Sequence, residues 1–367
     1  MFNLHRPVIS ASATRYVLLT VLSFAASVIV TRVYLELTGY PQIGNDTFHF
    51  AHALWGGLLL IISVLTLLIF VNRWTYDLSA ILAGIGVGLF IDEVGKFITQ
   101  QNDYFFPLAA PIIYVAFLVM LLVYLIVKRR ETTTDLVADM YQVTKELEEV
   151  LEDDLSECER DSMVARLQKV AGQTARPDLA DLAKHILQFL QSESVDVVPD
   201  RTSLIGRFLD GCYRIEDSLF TQGRTRLLLI GLFLLDGLGA LFAMLVLGLA
   251  FAGDETTMPT LLSDIVLGEA NVTSSTSLSW FLIMSALQLV TGLLLFLSAV
   301  AFLRKNESTA VTIAMMALVI SLVFISPLSF YFNQFSVLLT SLFLFTILLI
   351  LQRYRTRFLT AEEADIG

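Results

Sequence analysis

Eight stretches of roughly twenty residues run through this chain almost without charge: about 16–37, 48–71, 78–99, 108–127, 227–251, 278–303, 310–328 and 332–351. A helix of ~20 apolar residues crosses a hydrocarbon core about 30 Å thick. In lipid only a structure that satisfies its backbone N–H and C=O groups internally is stable, so each stretch reads as a transmembrane helix. The predicted fold class is therefore an all-α integral membrane protein with eight spans. Composition agrees: 56% of residues are hydrophobic and 16% charged, against roughly a quarter charged in ordinary soluble domains. Soluble enzymes, disulfide scaffolds, nucleic-acid binders and disordered chains are excluded at this step.

Orientation follows from Lys and Arg in the short flanks. Residues 39–46, 100–106, 252–277 and 329–331 contain no Lys or Arg. The opposite flanks hold Arg6, Arg15, Arg73, Lys128, Arg129, Arg130, Arg224, Arg226, Arg304, Lys305, Arg353, Arg355 and Arg357. The asymmetry predicts that both termini and the hydrophilic stretch between the fourth and fifth spans are cytosolic. Residues 16–37 are too long for a signal-peptide core, so they read as a retained span. Asn271-Val-Thr is a glycosylation sequon on an outer loop, of consequence only in a host with that machinery.

Net charge is −11, and the imbalance belongs to one segment: residues 131–200 carry 17 Asp+Glu against 6 Lys+Arg. An acidic surface is repelled by anionic lipid and by nucleic acid, so this segment should face solvent or meet a protein partner or another copy of the chain through residues 131–225. Leu136, Met140, Val143, Leu147 and Val150 alternate at spacings of four and three, the seam of a helix packed on its neighbours. Pro177 opens a second helix with Leu179, Leu182, Ile186 and Leu190 on one face. Leu204, Ile205, Phe208, Leu209, Cys212 and Ile215 form an amphipathic stretch that could lie on the inner leaflet through Arg201, Arg207 and Arg214. Cys158 and Cys212 are expected to be free thiols in a cytosolic setting. No phosphate loop, nucleotide fingerprint or catalytic triad is present here, which points away from a soluble catalytic domain. The organisation predicted is a first membrane half at 1–128, an acidic helical segment at 129–225 and a second membrane half at 226–367.

The unusual polar residues lie in the second and third spans: His49-Phe-Ala-His52, then Gly84-Ile-Gly86-Val-Gly88, followed by Asp92-Glu93-Val-Gly-Lys96. An ionisable group at the bilayer centre costs about 2.5–3.5 kcal/mol on insertion scales, so such groups are usually paired and functional. Gly84, Gly88, Asp92 and Lys96 recur every four residues, which predicts one helix face packed closely on another span. Arg32 and Glu36 end the first span at similar height, and Asp103 lies just past the third. Asp236 is a separate acid within the fifth span. Three readings stand open. In the first, the charges are satisfied structural pairs, Asp92 with Lys96 and Glu93 with Arg32 or a histidine. In the second, Asp92, Glu93 and Lys96 handle protons or cations in a transporter- or channel-like protein, with His49 and His52 at an outward mouth. In the third, His49, His52, Asp92 and Glu93 ligate zinc or iron in a membrane-embedded, hydrolase-like enzyme. A sensor or scaffold acting through the cytosolic segment is a further alternative. Among the functional readings, transport is the leading one.

The run Phe90-Ile-Asp-Glu-Val-Gly-Lys-Phe-Ile-Thr99 and then Asn102-Asp-Tyr-Phe-Phe106, after His52-Ala-Leu-Trp-Gly-Gly57, resembles a family of uncharacterised prokaryotic polytopic membrane proteins with no established activity. The resemblance covers about sixty residues and implies only a bacterial or archaeal cytoplasmic membrane. The chain is unlike the ceramidase- and adiponectin-receptor-type hydrolases, because its last four spans contain no histidine. The two halves also echo each other: Gly57-Leu-Leu-Leu-Ile-Ile-Ser63 resembles Gly292-Leu-Leu-Leu-Phe-Leu-Ser298. Four spans per half would relate the two by an axis along the membrane normal.

Overall fold

The computed structural model describes residues 8–10, 12–39, 51–100, 103–104, 106–130, 136–151, 155–172, 176–192, 195–198, 220–252 and 275–359. His5, Arg6, His49, Cys212, the 204–215 stretch with Arg201, Arg207 and Arg214, and the Asn271 sequon lie outside the described residues. Among those described, the chain is helical, with a single isolated bridge between Ser156 and Val198 and no strand. Eight helices are long and apolar enough to cross a membrane. Leu58, Ile61, Leu65 and Leu68 form an exposed stripe along the second of them, and similar outward apolar faces recur on the others. Such surfaces need a lipid solvent, and the protein is a multi-pass membrane protein.

The chain divides into two compact units, Met1–Glu93 with Ala116–Leu209, and Val94–Val115 with Asp210–Gly367. In the first, α1 (Ala13–Thr38) and α2 (His52–Ile69) both pack on α3 (Arg73–Asp92). Glycine permits this. A Cβ at Gly86 would sit 2.8 Å from the carbonyl oxygen of Gly56 on α2, and one at Gly88 would sit 2.9 Å from Ser27 on α1. Gly84 lies equally close to the backbone of Thr20 on α1. The predicted small-residue stripe therefore serves α1, while Gly86 on the adjoining face serves α2. Serines stitch the same seams: Ser27 donates to the Ile85 carbonyl at 3.2 Å, and Ser63 and Ser79 donate to each other's carbonyls at 2.8 and 3.1 Å. α1 stops at Gly39, whose φ of +71° is the left-handed cap that glycine adopts without strain.

The third span differs from its expected course. It starts at Arg73, five residues earlier than the hydropathy pattern suggests, and the helix stops at Asp92. Glu93 (φ −89°, ψ 10°) breaks it, and a short helix α4 (Val94–Ile98) follows. α5 (Ala109–Arg130) is the fourth span.

The acidic segment folds as a small helical module: α6 (Leu136–Glu146), α7 (Glu148–Leu151), α8 (Glu157–Ala171) and α9 (Pro177–Leu190). The predicted seam residues Leu136, Met140, Val143, Leu147 and Val150 all join its core, with Met163, Leu167, Ala183 and Leu190. Leu182, expected on the inner face of α9, is exposed instead. The sequence reading passed over α8, although Ser156-Glu-Cys-Glu159 spells a capping box and the structure forms both of its reciprocal bonds. The module is fastened to the ends of α1 and α3. Arg73 pairs with Glu159 at 3.0 Å, and the Lys145 ammonium lies 4.1 Å from the Tyr76 ring centroid and 5.4 Å from that of Tyr16.

In the second unit α10 (Gln222–Ala252) packs on α11 (Ser275–Leu303), and Gly237 and Gly292 provide the close approach. Next come α12 (Glu307–Ile320), a π-turn (Ser321–Ile325), α13 (Ser326–Phe332), α14 (Gln334–Tyr354) and a terminal π-turn (Arg355–Leu359). Proline explains the first π-turn. The Ser326 N–H bonds to Ser321 O, and Pro327 has no N–H to offer the Leu322 carbonyl. The Tyr114 hydroxyl donates to that carbonyl at 3.0 Å. At the basic end, Glu307 accepts from the Tyr354 hydroxyl (2.6 Å) and pairs with Arg226 (3.2 Å).

Candidate functional site

The site is built where α3 ends and α2 begins. A helix C-terminus carries partial negative charge, and a helix N-terminus has backbone N–H groups without partners. Asp92 and Glu93 add two carboxylates at the first, and the first turn of α2 offers donors to receive them. The Glu93 carboxylate accepts from the Ala53 N–H at 3.3 Å and so caps α2, a helix whose own N-cap residue is Ala51. Capping across the gap needs Glu93 out of helical register, which accounts for the break in the third span.

Two basic side chains complete the arrangement. Arg32 Nε donates to Asp92 Oδ1 at 2.7 Å, one end of the planar charge-assisted contact that guanidinium forms best. His52 opens α2 and stands between the two acids, with Nε2 3.2 Å from Asp92 Oδ2 and Nδ1 3.4 Å from Glu93 Oε1. The side chains of Asp92 and Glu93 are 0% and 1% exposed, while Arg32 is 13% and His52 22% exposed. Imidazole is therefore the most solvent-accessible member of an otherwise enclosed group.

Proton bookkeeping follows from these contacts. A neutral imidazole has one N–H, and both of its nitrogens face carboxylate oxygen. Only one of the two contacts can be N–H···O in that state.

The other residues singled out by sequence fall elsewhere. Glu36 is exposed near the end of α1, one turn beyond Arg32. Lys96 and Asp103 belong to the second unit, where the Lys96 ammonium lies 5.4 Å from the Tyr104 ring centroid and the Asp103 N–H donates to Thr99. Asp236 is on α10, just before Gly237. Of the proposed metal ligands, His49 is outside the described residues. Among the described residues, no group of three or more His, Cys, Asp or Glu is disposed to hold a metal ion.

Sequence reasoning did not find the junction with the module, Arg73–Glu159 and Lys145 between two tyrosines, nor the nearby pair of Arg15 on α1 with Asp77 on α3 at 2.6 Å. Burial pushes the Lys145 ammonium below its ordinary range, with Glu148 opposing and Arg73 adding to the effect. No protein-family model, curated protein or solved structure matches the chain. The functional reading therefore stands on the chain's own residues.

Proposed function

We propose that this multi-pass membrane protein is transporter- or channel-like and handles protons or cations at the Arg32–Asp92–His52–Glu93 group. One observation carries the reading: a partly accessible imidazole lies within 3.4 Å of two fully enclosed carboxylates. Ionisable groups within spans are associated with ion and proton paths, and imidazole is the side chain suited to proton exchange near neutrality. The flank charge asymmetry supports cytosolic termini and a cytosolic module; the sequence resemblance implies a prokaryotic inner membrane. On that orientation the group lies at the outward end of α2 and α3. Glu93 both contacts His52 and caps α2, so a change at the imidazole reaches that helix directly.

The test is proton flux into liposomes containing the purified protein, driven by a potassium diffusion potential and read with an entrapped pH dye. His52→Gln, which keeps polarity and loses the titrating ring, should lower flux at least tenfold while the detergent melting temperature stays within a few degrees. Flux equal to the parent's in a folded His52→Gln protein would eliminate the proposal.

A further inference from the structure

The second unit contains a cavity of about 240 Å³ between the first turn of α10 and the end of α14 with its π-turn. Phe220, Leu349, Ile350 and Phe358 supply apolar walls, and Arg353, Arg357 and Thr225 bring polar groups to it. Arg353 and Arg357 are four residues apart, so both guanidiniums emerge on one side of the chain's final turns.

Thr225 is the second and independent sign. The residue is 4% exposed, and its hydroxyl has no hydrogen-bond partner among the described residues. Elsewhere in this protein helical threonines give their hydroxyls to the carbonyl four residues back, as Thr20, Thr66, Thr291 and Thr346 do. At Thr225 only the backbone N–H bonds to Thr221 O, leaving the hydroxyl in the cavity wall. A buried hydroxyl without a partner is costly, and a ligand that accepts its proton removes that cost.

The ligand's chemistry can be read from the lining. Two guanidiniums, a hydroxyl donor and the positive end of a 31-residue helix select an anion rich in acceptor oxygens. The aromatic and aliphatic walls select a neighbouring hydrocarbon. At 240 Å³ the cavity is smaller than the ~300–1,000 Å³ typical of sites that engulf a whole drug-sized molecule. It suits a headgroup whose chains remain outside. The cavity sits at the extreme ends of two spanning helices, the level of lipid headgroups, and within the Arg-rich flank. Basic pockets between spans on that side are the setting in which anionic lipids bind. π-turns often mark functional positions, and here one carries Arg357 and Phe358.

The geometry points to a binding site for the phosphate of an anionic phospholipid, held by Arg353, Arg357 and Thr225 with its chains along Leu349 and Ile350. It is tested by native mass spectrometry of the full chain in detergent, offered dioleoylphosphatidylglycerol, dioleoylphosphatidylcholine or inorganic phosphate. Expected are retained phosphatidylglycerol adducts, at least tenfold fewer in Arg353→Gln/Arg357→Gln, about threefold fewer in Thr225→Val, and no change in Arg304→Gln. Thr225→Val keeps the side-chain shape, so it carries the test if the double variant fails to fold. Retention undiminished in both variants, or phosphatidylcholine held as well as phosphatidylglycerol, overturns the site. Displacement of the lipid by millimolar inorganic phosphate assigns the cavity to a free anion and overturns the lipid source.

Discussion

Arg32 and Asp92 are sixty residues apart, and their pairing decides how the third span ends. Asp92 is wholly enclosed, so removing Arg32 takes its guanidinium bond from a carboxylate held away from water. Breaking one side of a buried pair typically costs about 3–5 kcal/mol, much more than an exposed pair contributes. Arg32→Ala is expected to lower stability by that order in a detergent melt, and Arg32→Ala with Asp92→Ala to recover part of it. A double-variant cycle without coupling would contradict the arrangement. The sequence made the acids conspicuous but put Arg32 with Glu93, where the structure pairs it with Asp92. Nothing local announces the break at Glu93, since Glu93-Val-Gly-Lys carries no proline. The break depends on a tertiary contact, the Glu93 carboxylate reaching Ala53 N–H on another helix. Glu93 with a histidine, by contrast, was legible.

Among the elements, those with a strong period or local chemistry were the most readable. The seam of α6 and Pro177 at the start of α9 could be taken directly from residue order, and Gly84 and Gly88 foretold close packing. The π-turn at Ser321–Ile325 could not be foreseen, because it depends on Tyr114, two hundred residues earlier, capturing the carbonyl that Pro327 strands. The parallel between the halves has a structural counterpart: Ser63 ties α2 to α3 through Ser79 O, and Ser298 ties α11 to α12 through Ala310 O. The sequence echo aligns those same two serines. α8 supplies a pH prediction. Burial alone would raise the Glu159 carboxyl, but the Ser156 hydroxyl and backbone N–H together with Arg73 outweigh it and hold the pKa below the usual 4.5. A depressed carboxyl stabilises the fold fully above that ordinary value and loses its contribution as pH falls through the native one. Hydrogen exchange in the first turn of α8 should therefore accelerate below about pH 4. Glu159→Gln should flatten that dependence, and an unchanged profile in the variant would refute the assignment.

For the molecule as a whole, hydropathy and flank charge defined the eight spans before any coordinates, because lipid leaves the backbone so few options. Which helices neighbour each other was not readable, since apolar faces of similar composition fit many partners. The flank asymmetry yields one direct check. Cys158 is exposed on α8 of the acidic module. In intact cells carrying Cys212→Ser, a membrane-impermeant maleimide should label Cys158 only after permeabilisation; labelling beforehand would invert the proposed orientation. Within the first unit, α3 is a single helix of 20 residues, about 30 Å long at 1.5 Å per residue. It is gripped by Glu159 at its Arg73 end and by Arg32 and His52 at its Asp92 end. With its glycines set directly against both neighbours, the helix is an axle clamped at each end, so the lobe that holds one clamp and the carboxylates that form the other share a single shaft.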